Sequence, residues 1–122
     1  MLNMAIEIAR NIPYHKYRIA CIVTNKRGRI LSVGKNSYTK THPRQAYYAQ
    51  KSENKHKIYL HAEIDALCRC DGKPYAIYVA RVNRKGMPGL AKPCDICRMA
   101  IRDMGIKKVV YTTSNAGGLM EE

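Results

Sequence analysis

Three segments between residues 75 and 112 restrict the fold more than anything else in the chain. "YAIYVARV" at 75–82 and "KKVVYT" at 107–112 are rich in β-branched and aromatic residues and predict strands. Between them, "PCDICRMAIRDMG" places Ile96, Ala100, Ile101 and Met104 at helical spacing, with Pro93 at its start and Gly105 at its end. A strand, a helix and a strand in that order predict a right-handed crossover between parallel strands. The glycine-containing stretch "NRKGMPGLAK" is the loop that leads into the helix.

The rest of the chain adds elements around that unit. Residues 2–12 put Leu2, Ala5, Ile6, Ala9 and Ile12 on one helical face, and Pro13 stops the helix. "IACIVT" at 19–24 and "RILSVG" at 29–34, joined by the turn "NKRG", predict a hairpin. Cys21 in the first of these strands is expected in the core. Residues 37–58 are polar, basic and tyrosine-bearing and predict a long loop, with a helical turn around Gln45 to Gln50. A helix is expected over 61–70, and the weakly patterned stretch after 113 is expected to be a mobile tail. The order helix, strand, strand, loop, helix, strand, helix, strand predicts an α/β fold, a mixed sheet with helices on both faces. One domain over residues 1–122 accommodates it.

No run of eighteen apolar residues exists, so no membrane-spanning helix is expected. The N-terminal stretch lacks the pattern of a signal peptide, which makes a cytoplasmic protein the expectation. Lys and Arg number 22 against 9 Asp and Glu, a surplus of 13 that draws anions inward. A nucleotide and a nucleic acid are the two partners that fit this charge; a solubility charge is the plainer reading.

Five cysteines, an odd number without a secretory signal, disfavour a disulfide framework and favour metal binding or buried thiols. Cys94 and Cys97 form a C-x-x-C at a helix start, where both sulfurs face one point. Zinc takes such thiolates together with imidazole, and three protein ligands leave one position open for water. Of His15, His42, His56 and His61, His61 is the candidate, because it heads a helix whose start lies beside that of the cysteine helix. Glu63 then falls beside the metal without ligating it and can act as a proton carrier. Each half has a plainer reading. His61 and Glu63 alone fit an ordinary helix start, and Cys94 and Cys97 alone fit a redox dithiol. Cys68 is expected in the core, Cys70 at a helix end, and His42 and His56 in solvent.

"HAE" at 61–63 and "PCDIC" at 93–97, with one strand between them, resemble the H-x-E…P-C-x-x-C signature of the cytidine and deoxycytidylate deaminase superfamily. The resemblance covers residues 1 to 113 and implies a three-layer α/β/α fold with the zinc site at two helix N-termini. By resemblance His61, Cys94 and Cys97 are the Zn2+ ligands and Glu63 is the catalytic proton shuttle. The backbone N–H of Ala62 is implied to contact the base. Asn36, in "VGKN" at 33–36, is implied to contact sugar or base. The implied reaction is hydrolytic deamination with release of ammonia.

The histidine in the first motif resembles the deoxycytidylate, tRNA-adenosine, riboflavin-pathway, guanine and polynucleotide branches rather than free-nucleoside enzymes. "MGIKKVVYTT" at 104–113 is similar to deoxycytidylate and tRNA-adenosine deaminases. The expected function is deamination of a cytosine nucleotide, deoxycytidine monophosphate-like, with Lys40, Arg44 or Lys55 meeting phosphate. The alternative is action on cytosine or adenine in RNA or single-stranded DNA, with Tyr47 and Tyr48 stacking bases. Both tyrosines also fit ordinary packing. A non-catalytic zinc module is the third reading, and an intact Glu63 argues against it. Either the domain is a minimal version of the family, or an oligomer partner completes the site; a homo-oligomer is expected.

Overall fold

The computed structural model describes residues 1–13, 18–37, 41–51 and 60–114, and the backbone of 119–121. His15, Lys40, Lys55 and His56 lie outside the described residues. The elements in chain order are α1 (Leu2–Arg10), β1 (Arg18–Thr24), β2 (Ile30–Lys35), α2 (Pro43–Lys51) and α3 (Ala62–Cys68). They continue with β3 (Ala76–Val82), β4 (Pro88–Gly89), α4 (Asp95–Asp103), β5 (Lys108–Thr112) and β6 (Leu119–Glu121).

The hairpin and the crossover both form. β1 pairs antiparallel with β2, and β3 pairs parallel with β5. The sheet order is β2-β1-β3-β5-β6, with β4 added at the end of β3. β1 lies between β2 and β3, antiparallel to both, so the sheet is mixed.

Alternate residues of the central strands are buried against different layers, as a two-sided sheet requires. Ala20, Ile22, Ala80 and Val82 pack with Ala5 and Ala9 of α1. Cys21, Val23, Ile77, Val79, Val109 and Tyr111 pack with Ala62, Ile64, Ala66, Ile96 and Ala100 of α3 and α4. The second core is the larger one, and it holds Cys97 and Ala62 within it. α4 ends where the sequence predicts: Gly105 follows the C-cap with φ 75°, a left-handed conformation that glycine adopts without steric cost.

Three elements differ from expectation. The helical turn expected around Gln45 to Gln50 is longer than expected, a nine-residue helix, α2. Pro43 opens it, and the His42 ring accepts a hydrogen bond from Arg44 N at 3.0 Å in the manner of a cap. His42 is thus a half-buried helix-start residue, 3.7 Å from the Cys68 sulfur, and not a solvated one. β4 is a two-residue bridge that carries no sequence signal. Residues 119–121 form β6 antiparallel to β5, in a stretch whose patterning predicts no element.

The approach of α3 to the hairpin is close. A Cβ on Gly34 would lie against Ala62 O, 2.5 Å from Ala66 N and 2.9 Å from Ala66 Cβ. Around this point β1 and β2 donate to carbonyls of α3: Cys21 Sγ–H to Ala62 O at 3.0 Å and Ser32 Oγ–H to Ala66 O at 2.7 Å. Asp65 of α3 accepts from Lys35 N at 3.0 Å and pairs with Arg69 at 3.0 Å. The helix that begins at His61 is therefore held to the edge of the sheet along its length.

Candidate metal centre

In a strand–helix–strand crossover the helix starts at the carboxyl end of the first strand. Cys94, the N-cap of α4, accordingly lies beyond the end of β3. α3 runs into the amino end of β3, so its own start, His61, lies at that same end. Two helix N-termini meet there, and neither His61 nor Cys94 makes a side-chain capping bond.

His61 Nδ1 is 3.5 Å from Cys94 Sγ and 3.4 Å from Cys97 Sγ. One ligand atom from each of the three lies within 4.8 Å of the others. In a tetrahedron with Zn–S about 2.3 Å and Zn–N about 2.0–2.1 Å, the nitrogen–sulfur separation is about 3.6 Å. The observed distances match that value, and two soft sulfurs with one imidazole suit zinc. The residues fit the ion, and this is the one such group of His, Cys and acidic side chains among the described residues.

The electrostatics favour cation binding. The Cys97 thiol beside it, opposed by burial and aided by the His61 ring, pulls Cys94 down to about 3. Cys97 moves the other way, because it faces the Cys94 thiolate and is buried. One negative sulfur is thus ready for a metal, and the second loses its proton on binding.

Glu63 occupies the second position of α3 and is 5% exposed. Burial pushes its carboxyl up, against the charge of the His61 ring and a bond from its own backbone N–H. Its carboxyl also faces the Cys97 thiol. A buried carboxyl beside three metal donors but outside their cluster is placed to move protons rather than to ligate. Ala62 N–H is in the first turn, where no intrahelical acceptor exists.

The other expected contacts are distributed differently. Asn36 Oδ1 accepts from Ile19 N at 2.9 Å, so its carboxamide closes the β1–β2 ladder. Asn36 also lines a cavity of about 520 Å³ together with Leu60, Asp65 and Arg69. Arg44 is exposed, its guanidinium 3.9 Å from Met104 Sδ. Tyr48 is 8% exposed in the main core and donates its O–H to Asp103 of α4 at 2.8 Å. Burial and that carboxylate push its hydroxyl up to about 12. Of the two rings weighed between packing and base stacking, Tyr48 is thus the largely buried one, with its hydroxyl engaged by Asp103. Tyr47 is the exposed one of the pair, 50% accessible, with Lys51 Nζ 4.8 Å from its ring centre. Cys68 packs at the margin of the core, and Cys70 at the helix end points its thiol to Gly72 O at 3.7 Å.

One contact at the centre escapes sequence reasoning. Gln45 of α2 is fully buried and accepts a hydrogen bond from His61 N at 3.2 Å.

Three donors with no fourth among the described residues, next to a buried carboxyl, fit the pattern of a catalytic zinc centre better than that of a closed structural one. The chain belongs to the cytidine and deoxycytidylate deaminase family: residues 1–113 match the family model described as the cytidine and deoxycytidylate deaminase zinc-binding region. No curated protein sequence matches the chain closely enough to be counted a relative. The family activity is zinc-dependent deamination, hydrolysis of a C–N bond. Among the described residues no helix is long and apolar enough to cross a membrane.

The ligand set has a direct test. Cys94→Ser and Cys97→Ser are each expected to weaken zinc binding by more than the roughly 10–100-fold that loss of a ligand's supporting neighbour costs. Zinc per chain, measured by elemental analysis after dialysis, checks this. Full zinc content in both variants would place the metal elsewhere.

Proposed function

We propose that the chain is a cytoplasmic, homo-oligomeric deaminase of a cytosine nucleotide of the deoxycytidine monophosphate type, with residues 1–122 acting as one domain. The observation that carries this reading is the three-donor centre with Glu63 buried beside it, in a chain of this family. The cysteines, all free among the described residues, suit a reducing compartment.

The chemistry a zinc ion supplies in such a centre is activation of water at neutral pH. His61, Cys94 and Cys97 hold it. Glu63 accepts a proton from the attacking water and delivers it to the ring nitrogen; it then takes the second proton, from the hydroxyl that the addition leaves on the ring carbon, and delivers it to the departing amine. One water is consumed, the bond from the ring carbon to its exocyclic amine breaks, a C=O forms, and ammonia leaves. Ala62 N–H and Asn36 orient base and sugar. Arg44, at the start of α2, meets the phosphate. Tyr48 supports this wall from behind, and Tyr47 offers the exposed ring.

A second reading, deamination within a nucleic acid strand, is favoured by one observation. At the amino ends of β3 and β5, away from the metal, Lys26, Arg27, Lys73 and Lys107 line a groove of about 490 Å³ with Tyr75. Among the described residues no carboxylate lines it. A strand that reached from the metal to this groove would neutralise phosphates along the way.

An ammonia-release assay over cytosine, adenine and guanine substrates, each as nucleoside, nucleotide and oligonucleotide, separates the readings. Turnover is expected to be highest with a cytosine nucleotide and to respond weakly to salt. If an oligonucleotide is preferred, four phosphate contacts would make its affinity fall about 50-fold between about 50 and 200 mM salt. That outcome would replace the first reading with the second.

A further inference from the structure

α2 lies within the expected loop and supplies neither a metal donor nor a proton-transfer group to the chemistry described above. Its first turns nevertheless reach the metal centre. Gln45 is 0% exposed, and its Oε1 accepts from His61 N at 3.2 Å. In many helix starts, the N–H of the N-cap residue is received by an acidic or amide side chain three positions on. Here that position is Ile64, which cannot accept. The acceptor arrives instead from a separate helix.

The other side of α2 is fixed to the second ligand-bearing helix. Tyr48, one turn beyond Gln45, donates to Asp103 of α4 at 2.8 Å. α4 carries Cys94 as its N-cap and Cys97 in its first turn. α2 therefore ties together the two helices whose starts hold the three donors, and Gln45 is the residue in touch with a donor's own backbone. A carboxamide buried in this way is costly unless its polar atoms are paired. Its neighbours Tyr48, Ala49 and Leu60 are all buried in the main core.

We infer that Gln45 is a positioning residue of the metal centre: by receiving the His61 N–H it fixes the direction of Nδ1 towards the two sulfurs and so sets the affinity for zinc. This rests on the zinc reading above. Gln45 is not one of the three donors. It acts through the backbone of His61, where the usual outer contact of a metal-binding imidazole is to its second ring nitrogen.

The test is zinc affinity of the full chain by competition with a chromophoric chelator, independent of turnover. Gln45→Leu keeps the volume and removes the acceptor, and it should weaken zinc binding by about 10–100-fold. Gln45→Glu keeps an acceptor and should restore affinity close to that of the unchanged chain. Asp103→Ala loosens α2 at its far contact while leaving Gln45 in place. It should lower the melting temperature of the protein yet leave zinc affinity near its original value. Should Gln45→Leu not fold, Gln45→Met carries the same comparison. Equal zinc affinity in the acceptor-less variant and the unchanged chain would overturn the inference. So would an equal loss in Asp103→Ala, which would reduce Gln45 to helix packing. Failure of the unchanged chain to bind zinc would overturn the metal reading itself, a result distinct from either.

Discussion

Glu63→Gln should lower ammonia release by about 10²–10⁴-fold, the range expected when a positioned general acid–base group is lost. The substitution keeps the size of a side chain that is 5% exposed and stands beside the three donors without being one of them. What disappears is the capacity to take a proton from water and give it to the leaving amine. Zinc content should stay that of the unchanged chain, because His61, Cys94 and Cys97 are untouched. The measurement is turnover on the best substrate of the assay panel, with zinc per chain determined on the same sample. Activity within tenfold of the original would remove Glu63 from the mechanism. Loss of zinc together with activity would mean that the carboxyl supports the metal instead.

The second large effect concerns a residue with no chemical role. Gly34→Ala should destabilise the fold by about 3 kcal/mol or more, since the added methyl meets backbone and not a flexible side chain. The colliding groups are Ala62 O and Ala66 N, the latter 2.5 Å from the new carbon. To relieve the clash, α3 must lift from β2, and the bonds from Cys21 and Ser32 to its carbonyls must stretch. His61 and Glu63 travel with the helix, so zinc affinity and turnover should fall as well. A fall in melting temperature of roughly 10 °C or more is expected for a domain of this size. An unchanged melting curve would show that the helix and hairpin can separate freely. Ser32→Ala is the milder control, because it removes one 2.7 Å hydrogen bond without inserting an atom.

The two predictions draw on information of different legibility. The metal motif was plain in the sequence because its chemistry needs particular residue types at short spacings: His61 and Glu63 two apart, Cys94 and Cys97 three apart. The crossover was plain because β3, α4 and β5 each have a clean period. α2 was legible only in part, as a helical turn around Gln45 to Gln50, although its period runs further. Its buried residues are Gln45, Tyr48 and Ala49, spaced i, i+3 and i+4. The first is a polar type, and a pattern of apolar residues cannot register a glutamine buried to receive a backbone N–H. Tyr48 is a like case, since a tyrosine in a basic stretch gives no sign that Asp103, far away in sequence, will accept its hydroxyl. Gly34 belongs to the family-like "VGKN" stretch, but its closeness to α3 depends on packing between elements. β4 and β6, at two and three residues, are too short to carry a period at all.

Neither of the two helices at the centre has a capping side chain: the residues at their N-caps, His61 and Cys94, are two of the three grouped donors that could hold a metal ion. Elsewhere a serine or aspartate at such a place stabilises the chain by about 0.5–2 kcal/mol whatever the solution contains. Here that contribution is replaced by an external supply. A ligand that binds only the native state adds about 2.7 kcal/mol when its free concentration is about one hundred times Kd, and nothing when it is absent. Persistence of the folded chain, and not merely its turnover, is thereby tied to the zinc available around it. Copies made under metal starvation would stand nearer the unfolding threshold, where proteases act.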